Sequence, residues 1–345
     1  MIKPQPGAGR AIKSWLFDLP PIDLSGDPPA PGETIFDKTF RLWDRVEALG
    51  FEGIMLSEHH WPISLSASPN LMLAVLAVRT RRLRIGQLAI TAPLAHPGRI
   101  AEELATLDQL SGGRLEIGLA RGGSTREVEL FGLPPEEMQG RLDEALEIVE
   151  GALTAHGPFT YEGRFYRCDQ LDVHPKTLQK PLPRIWLPVV SSESCAKAAR
   201  RGYRVCAGFR STDFMAQMFD AYRAAADEAG LSWSHEDLAI RRAVVIDPDE
   251  QAARRLGRSL AEQFASFEAL SSLVTDDDVI AGTADQVFEQ IAEQCERTGA
   301  GHILLYGSCH MPADEYARII EIYGAEVLPR LLDTTPAASK AATAE

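Results

Sequence analysis

The sequence predicts an α/β protein folded as a single (β/α)8 TIM barrel with insertions after strands 4 and 7, and three observations carry that expectation. Short apolar runs alternate with longer amphipathic ones, and eight of the short runs have strand length. These runs do not show the period-two polarity of half-exposed strands, as expected of strands buried on both faces of a parallel sheet. A doubly wound open sheet shares the alternation but usually has fewer strands.

In chain order, residues 14–19 are the first strand and 35–49 the helix after it, with Phe36, Phe40, Trp43, Val46 and Leu49 at helical spacing and Gly50 beyond its end. Residues 53–57 form the second strand and 70–79 its helix. The third strand, 83–91, leads to a helix over 99–110, where Pro97 can occupy the first turn and Gly112 follows the end. Residues 115–120 are the fourth strand. A long connection over 124–183 then holds a helix at 141–153 and a hairpin, Phe159-Thr160-Tyr161-Glu162-Gly163-Arg164-Phe165-Tyr166, with Glu162-Gly163 as its turn. Strand 184–190 and helix 194–201 follow, then strand 205–209, helix 213–229 and strand 238–246. The second long connection, 254–278, is a helical stretch with few strong core anchors that ends in Asp276-Asp277-Asp278, the kind of segment that can serve as a lid. Gly282-Thr283-Ala284-Asp285 reads as a turn with a capping threonine before the helix at 285–298. Gly299 ends that helix, and 302–307 is the eighth strand. Residues 1–13 and the tail 333–345 read as disordered, which leaves 14–332 for the barrel.

Composition narrows the function. A chain of 345 residues with 45% hydrophobic side chains can fill one large core. The formal net charge of −14 argues against nucleic acid and anionic membranes as partners, so an anionic ligand must be held by a few local cations. Five cysteines without a Cys-x-x-Cys pair read as free thiols in a reducing cytosol. No apolar core of signal-peptide length lies near residue 1, and the longest apolar run, 71–78, falls short of the roughly 18 residues that span a bilayer. A soluble, cytoplasmic protein is expected.

Two strand ends carry chemistry. Glu58-His59-His60 follows the second strand, where the loop exposes side chains that the strand has positioned, and in α/β proteins ligands gather at those carboxyl ends. Arg121-Gly122-Gly123 follows the fourth, an arginine with glycines that let backbone N–H groups approach an anion. An imidazole and a guanidinium so placed suggest acid/base chemistry on something carrying a phosphate. Bland readings stand beside these. Neighbouring histidines point apart on an extended backbone, so at most one should face the pocket, and Arg121 could be a solvated surface residue. His59 and His60 with Asp247 and His310 could instead begin a metal site. Arg79 to Arg84 read as a helix C-terminus complementing its dipole, and Asp108 with Arg114 as a structural ion pair. Gly118-Leu119-Ala120-Arg121-Gly122-Gly123 misses the Gly-x-Gly-x-x-Gly fingerprint, and there is no P-loop.

Glu58-His59-His60-Trp61, Ser68-Pro69-Asn70, Leu83-Arg84-Ile85-Gly86, Pro93-Leu94-Ala95-His96-Pro97-Gly98-Arg99 and Leu107-Asp108-Gln109-Leu110-Ser111-Gly112-Gly113-Arg114 resemble, in order and spacing, the bacterial luciferase-like flavin-dependent monooxygenases of the FMN branch. The likeness continues through Glu162-Gly163-Arg164-Phe165-Tyr166, Pro183-Arg184-Ile185-Trp186, Gly282-Thr283 and Val327-Leu328-Pro329-Arg330-Leu331, so it covers about 14–332. It implies that His59 is the active-site histidine and that Arg121, with Ser191 and Ser194, binds the FMN phosphate. It also implies that Ala89, Thr91 and Gly122 lie along the flavin, and that the Leu88–Ala89 peptide is cis. Trp61, Phe209 and Tyr306, near strand ends, are candidate walls of the substrate pocket. Val190 stands where luciferase itself has a glutamate before the phosphate-binding serine, which counts against light emission but not against flavin.

The resemblance implies a two-component enzyme that uses reduced FMN as co-substrate and O2 to oxygenate a small organic molecule through a flavin hydroperoxide. Such a species needs a dry, lidded pocket, and an imidazole, whose unperturbed pKa is about 6.5, can exchange a proton with it near neutrality. With no room for a nicotinamide domain, a separate NAD(P)H:flavin reductase in trans is implied, and so is a homo-oligomer, dimer or tetramer. A deazaflavin-dependent dehydrogenase, a metal-dependent hydrolase and a non-catalytic flavin-binding protein are the alternatives.

Overall fold

Eight strands pair side by side, all parallel, until the last meets the first. Residues 10–20, 34, 36–60, 65–123, 125–266, 272–307 and 310–333 are described in a computed structural model. The strands are β1 (Lys13–Asp18), β2 (Gly53–Leu56), β3 (Arg84–Gln87), β4 (Ile90–Thr91), β5 (Leu115–Ala120), β6 (Phe159–Glu162), β7 (Arg167–Leu171), β8 (Ile185–Val189), β9 (Arg204–Ala207), β10 (Leu238–Ile246), β11 (Val279–Gly282) and β12 (His302–Tyr306). The helices are α1 (Asp37–Leu49), α2 (Pro69–Arg79), α3 (Pro97–Ser111), α4 (Thr125–Leu130), α5 (Met138–Thr154), α6 (Ser192–Arg200), α7 (Thr212–Glu228), α8 (Glu250–Ser266), α9 (Ala284–Thr298), α10 (Ala313–Ile322) and α11 (Leu328–Leu332). Around the barrel the order is β1-β2-β3-β5-β8-β9-β10-β12, closed by β12 on β1. Because every pairing is parallel, the eight carboxyl ends open on one mouth.

Each predicted strand is a barrel strand. The third arrives in two pieces, β3 and β4, on either side of a cis Leu88–Ala89 peptide, and both pieces pair with β5. Helix ends carry the expected punctuation: Pro97 opens α3, while Gly50, Gly112 and Gly299 follow α1, α3 and α9 in left-handed conformation. Thr283 closes a capping box with Gln286 at the start of α9. The sequence reading did not contain β11, a short run paired with the outer half of β10.

The lumen is filled near the strands' amino ends by Trp15, Trp186 and His302, whose ring centroids lie 5.4–6.2 Å apart, edge to face. The Trp15 Nε1–H donates to His302 Nδ1 (2.9 Å), and His302 Nε2 lies 3.1 Å from the Glu236 carbonyl oxygen. One nitrogen accepts and the other donates, so the ring is the neutral Nε2–H tautomer, and burial holds its pKa well below the ordinary 6.5. The sign for stability follows. Below about pH 6.5 the unfolded chain takes up a proton at this position that the folded chain refuses, so stability is expected to fall as pH drops from 7. His310, pushed down to about 4 by burial, acts in the same direction. Urea unfolding at pH 7, 6 and 5 should show that slope, and His302→Gln should reduce it by about one proton.

Three expectations are revised. The hairpin turn is Gly163 to Tyr166 rather than Glu162-Gly163, since Glu162 pairs with Arg167. The Glu144 carboxylate organises that turn by accepting from the backbone N–H groups of Arg164 (2.7 Å), Phe165 (3.0 Å) and Tyr166 (3.0 Å). Asp108 and Arg114 do not pair. Asp108 accepts from the N–H groups of Leu178 and Gln179, whereas Arg114 donates to the Ala77, Thr80, Leu83 and Ser111 carbonyls, closing the end of α2. Arg79 stands in the last turn of α2, as expected, and is paired with Asp44 of α1. The 254–278 stretch is anchored better than its pattern suggests. Ala253, Leu260 and Phe264 of α8 are buried, Asp278 pairs with Arg242 (2.9 Å), and Asp277 accepts from the Thr212 N–H (2.6 Å). Residues 1–9, 61–64, 267–271 and 334–345, which include most of the stretches read as disordered, lie outside the described residues, as do Trp61 and Cys309.

Candidate active site

Every residue that follows a barrel strand stands at the same mouth, so strand order sorts the candidates. β2, β3 with β4, β5 and β8 are consecutive, and they carry His59, Ala89, Thr91, Arg121, Gly122, Ser191 and Ser194. β9, β10, β12 and β1 form the other half, and they carry Phe209 and Tyr306. The residues implied to hold a cofactor therefore line one side of the mouth and the aromatic wall the other.

On the first side, two carboxylates organise the histidines. Glu58 Oε1 lies 2.8 Å from His60 Nε2, and its other oxygen accepts from the Thr91 N–H at 2.7 Å, tying the end of β2 to the end of β4. Burial pushes the Glu58 carboxyl up, opposed by the Thr91 N–H and by His60. Glu127, from α4 in the inserted segment, reaches back to both histidines. It accepts from the His60 backbone N–H at 2.7 Å and stands 3.4 Å from His59 Nδ1. Burial would raise its pKa, but His59 and the His60 N–H outweigh it, and the carboxyl sits below its ordinary value. His60 is enclosed, its ring edge-on to Phe131 at 4.6 Å, whereas the His59 side chain keeps 34% of its exposure.

Arg121 is exposed at the end of β5 and, among the described residues, has no acidic partner. Gly122 beside it has φ +88 and lies against Thr91, where a Cβ would meet the threonine methyl at 2.8 Å. Ala89 and Thr91 are buried. Beyond β8, Ser191 caps α6. Its hydroxyl accepts from the Ser194 N–H (3.2 Å), and the Ser194 hydroxyl donates to the Ser191 carbonyl (2.7 Å). The two serines thus set the start of a helix next to the strand that carries Arg121.

Across the mouth, Tyr306 is surrounded by Phe17 (5.7 Å), Phe209 (5.9 Å) and Phe264 (5.4 Å), and its hydroxyl is 2.7 Å from His310 Nε2. Asp247 is taken by Arg318 at 2.8 Å, and among the described residues no group of three or more His, Cys, Asp or Glu is arranged around a possible metal ion. Among the same residues no helix is long and apolar enough to cross a membrane. Sequence reasoning missed Glu127. It lies 68 residues from His59 in an inserted helix, and no local pattern announces such a partner.

A family model described as luciferase-like monooxygenase matches residues 21–302. The chain belongs to this family. Among solved structures, this luciferase-like protein is similar to the monooxygenase RslO1 from Streptomyces bottropensis, with 28% identity, a TM-score of 0.80 and coverage of 92% of this chain and 99% of that one. It is 30% identical to the oxygenase component of the flavin-dependent trigonelline monooxygenase from Acinetobacter baylyi, over 50% of this chain and 48% of that protein. It is also 26% identical to an F420-dependent glucose-6-phosphate dehydrogenase from Nakamurella multipartita, over 83% of this chain and 90% of that protein.

Proposed function

We propose that the protein is the oxygenase of a two-component monooxygenase that takes reduced FMN and dioxygen and oxygenates a small organic substrate. One observation carries this reading. On consecutive strand ends stand a partly exposed imidazole set by Glu127 and an exposed guanidinium beside a helix start, with Thr91 and Gly122 between them. These residues fit FMN. Arg121 supplies a positive charge that a very acidic chain must offer a phosphate, and the N-terminus of α6 supplies backbone N–H groups. Gly122 and Ala89 leave a surface without bulky side chains for a flat ring. When bound, reduced FMN supplies the two electrons with which dioxygen delivers one oxygen atom to the substrate. His59, with Nδ1 turned to Glu127, keeps Nε2 free to hold or pass a proton, and Glu58 keeps the Thr91 backbone in place beside it. The source of reduced flavin is a separate reductase, a reading supported by the trigonelline relative's description as an oxygenase component.

The F420-dependent relative favours a second reading, a deazaflavin-dependent dehydrogenase, and titration separates the two. FMN should bind and F420 should not compete. Arg121→Ala is expected to weaken FMN binding by about 1.5–3 kcal/mol, the worth of a charged hydrogen bond, and unchanged affinity would remove Arg121 from the phosphate site. Mixed with NAD(P)H, FMN and oxygen, the protein alone should consume little nicotinamide. Adding a free flavin reductase should restore substrate oxygenation, and rapid NAD(P)H oxidation without one would refute the two-component reading.

A further inference from the structure

Arg241 and Arg242 are neighbours on β10, and their side chains leave opposite faces of the barrel wall. Arg242 points outward and has a partner at each of its three nitrogens, donating to Gln294 Oε1 (2.7 Å) and Asp278 Oδ1 (2.9 Å), with Thr212 Oγ1 at 3.5 Å. Arg241 points into the lumen. Its guanidinium carbon lies 4.6 Å from the Phe209 ring centroid, 5.0 Å from Phe17 and 5.1 Å from Tyr306. Among the described residues it has no hydrogen-bond acceptor and no carboxylate within ion-pair distance, and it is only partly buried. The carboxylate of Asp278 is already committed to Arg242. Two further features are built around this charge. Gly208 leaves it room, since a Cβ there would stand 2.8 Å from the Arg241 Nε. Phe209 is held at φ 53, a left-handed conformation that disfavours a phenylalanine, with its ring closest of the three to the guanidinium.

A half-buried guanidinium with aromatic faces and, among the described residues, no acceptor has unused donors in a planar fork, which match a carboxylate better than any neutral group. We propose that Arg241 is a specificity-determining residue that binds the carboxylate of an aromatic acid, with Phe17, Phe209 and Tyr306 packing on the ring. This rests on the mouth being the substrate pocket of the proposed monooxygenase, with the cofactor on the opposite half formed by β2 to β8. The aromatic walls argue for a flat, apolar body on the substrate. The net charge of the chain makes a dedicated cation necessary for any acid to enter.

The test reads binding, not turnover, so it stands apart from the oxygenase assignment. Benzoate, 4-hydroxybenzoate and nicotinate are titrated by calorimetry into FMN-loaded protein, each against its uncharged amide. The acids should bind about tenfold or more tighter than the amides, as charge-assisted pairing predicts. Arg241→Gln should abolish that preference and leave FMN affinity unchanged. Should that variant fail to fold, Gly208→Ala, which presses a methyl group on the guanidinium but keeps its charge, should reduce the preference several-fold. Equal binding of acid and amide by the wild type overturns the proposal, and so does a preference that survives the substitution. Loss of FMN affinity in Arg241→Gln overturns it too, by assigning the arginine to the flavin. If FMN does not bind at all, the oxygenase reading fails, while the acid–amide comparison on the same protein still decides the role of Arg241.

Discussion

His59→Ala is expected to lower substrate oxygenation by about 10²–10⁴ when reduced FMN is supplied by a free reductase, the usual worth of a positioned acid/base, and to leave FMN affinity unchanged. The partition follows from the site. Among the described residues His59 makes no hydrogen bond through Nε2, its Nδ1 is set by Glu127 at 3.4 Å, and the residues proposed for the phosphate lie two and three strands further round the barrel. Removing the ring leaves Glu127 bonded to the His60 N–H, so the loop keeps an anchor. Glu127→Gln retains that anchor but lacks the charge that orients and supports the imidazole, and should cost less than loss of the ring itself. The measurement is product formed per reduced flavin consumed, with FMN titration as the control. Normal turnover by His59→Ala would sink the assignment of the proton-transfer role.

Arg242→Met is expected to destabilise the fold by about 3–5 kcal/mol, because it strands a buried carboxylate. Both partners are almost fully enclosed, with side-chain exposures of 0% for Arg242 and 2% for Asp278. Burial lowers the Arg242 pKa and raises that of Asp278, so each ion pays a desolvation cost that its partner only partly returns. The pair as a whole contributes little, yet half of it is costly. Arg242→Met combined with Asp278→Leu should recover most of the loss in urea unfolding. A loss below about 1 kcal/mol in the single variant would mean that water or a rearranged partner reaches Asp278.

Both predictions turn on residues whose types were visible and whose partners were not. The strands were legible because a parallel barrel buries both faces of every strand, which writes short apolar runs such as Gly53 to Leu56 and Ala243 to Ile246 into the chain. Helix ends were legible because glycine conformation and side-chain capping are local, as at Gly112 and Thr283. β11 was missed because four residues paired only with the end of β10 leave too short a pattern. Asp276-Asp277-Asp278 read only as the end of a weakly anchored stretch, whereas two of these carboxylates hold Thr212 and Arg242.

By itself the sequence determined the barrel, the direction of its mouth and the presence there of His59 and Arg121, since each follows from short-range patterns and from where strands stop. Tertiary structure alone decided which side chains meet. It brought Glu127 across 68 positions to His59, and it divided the mouth into a half with Arg121 and a half lined by Phe17, Phe209 and Tyr306. It also separated Arg241 from Arg242. The two arginines are indistinguishable in the chain, but closure of the barrel turns one outward to Asp278 and leaves the other inside among aromatic rings, because successive side chains on a strand must face opposite sides of the wall.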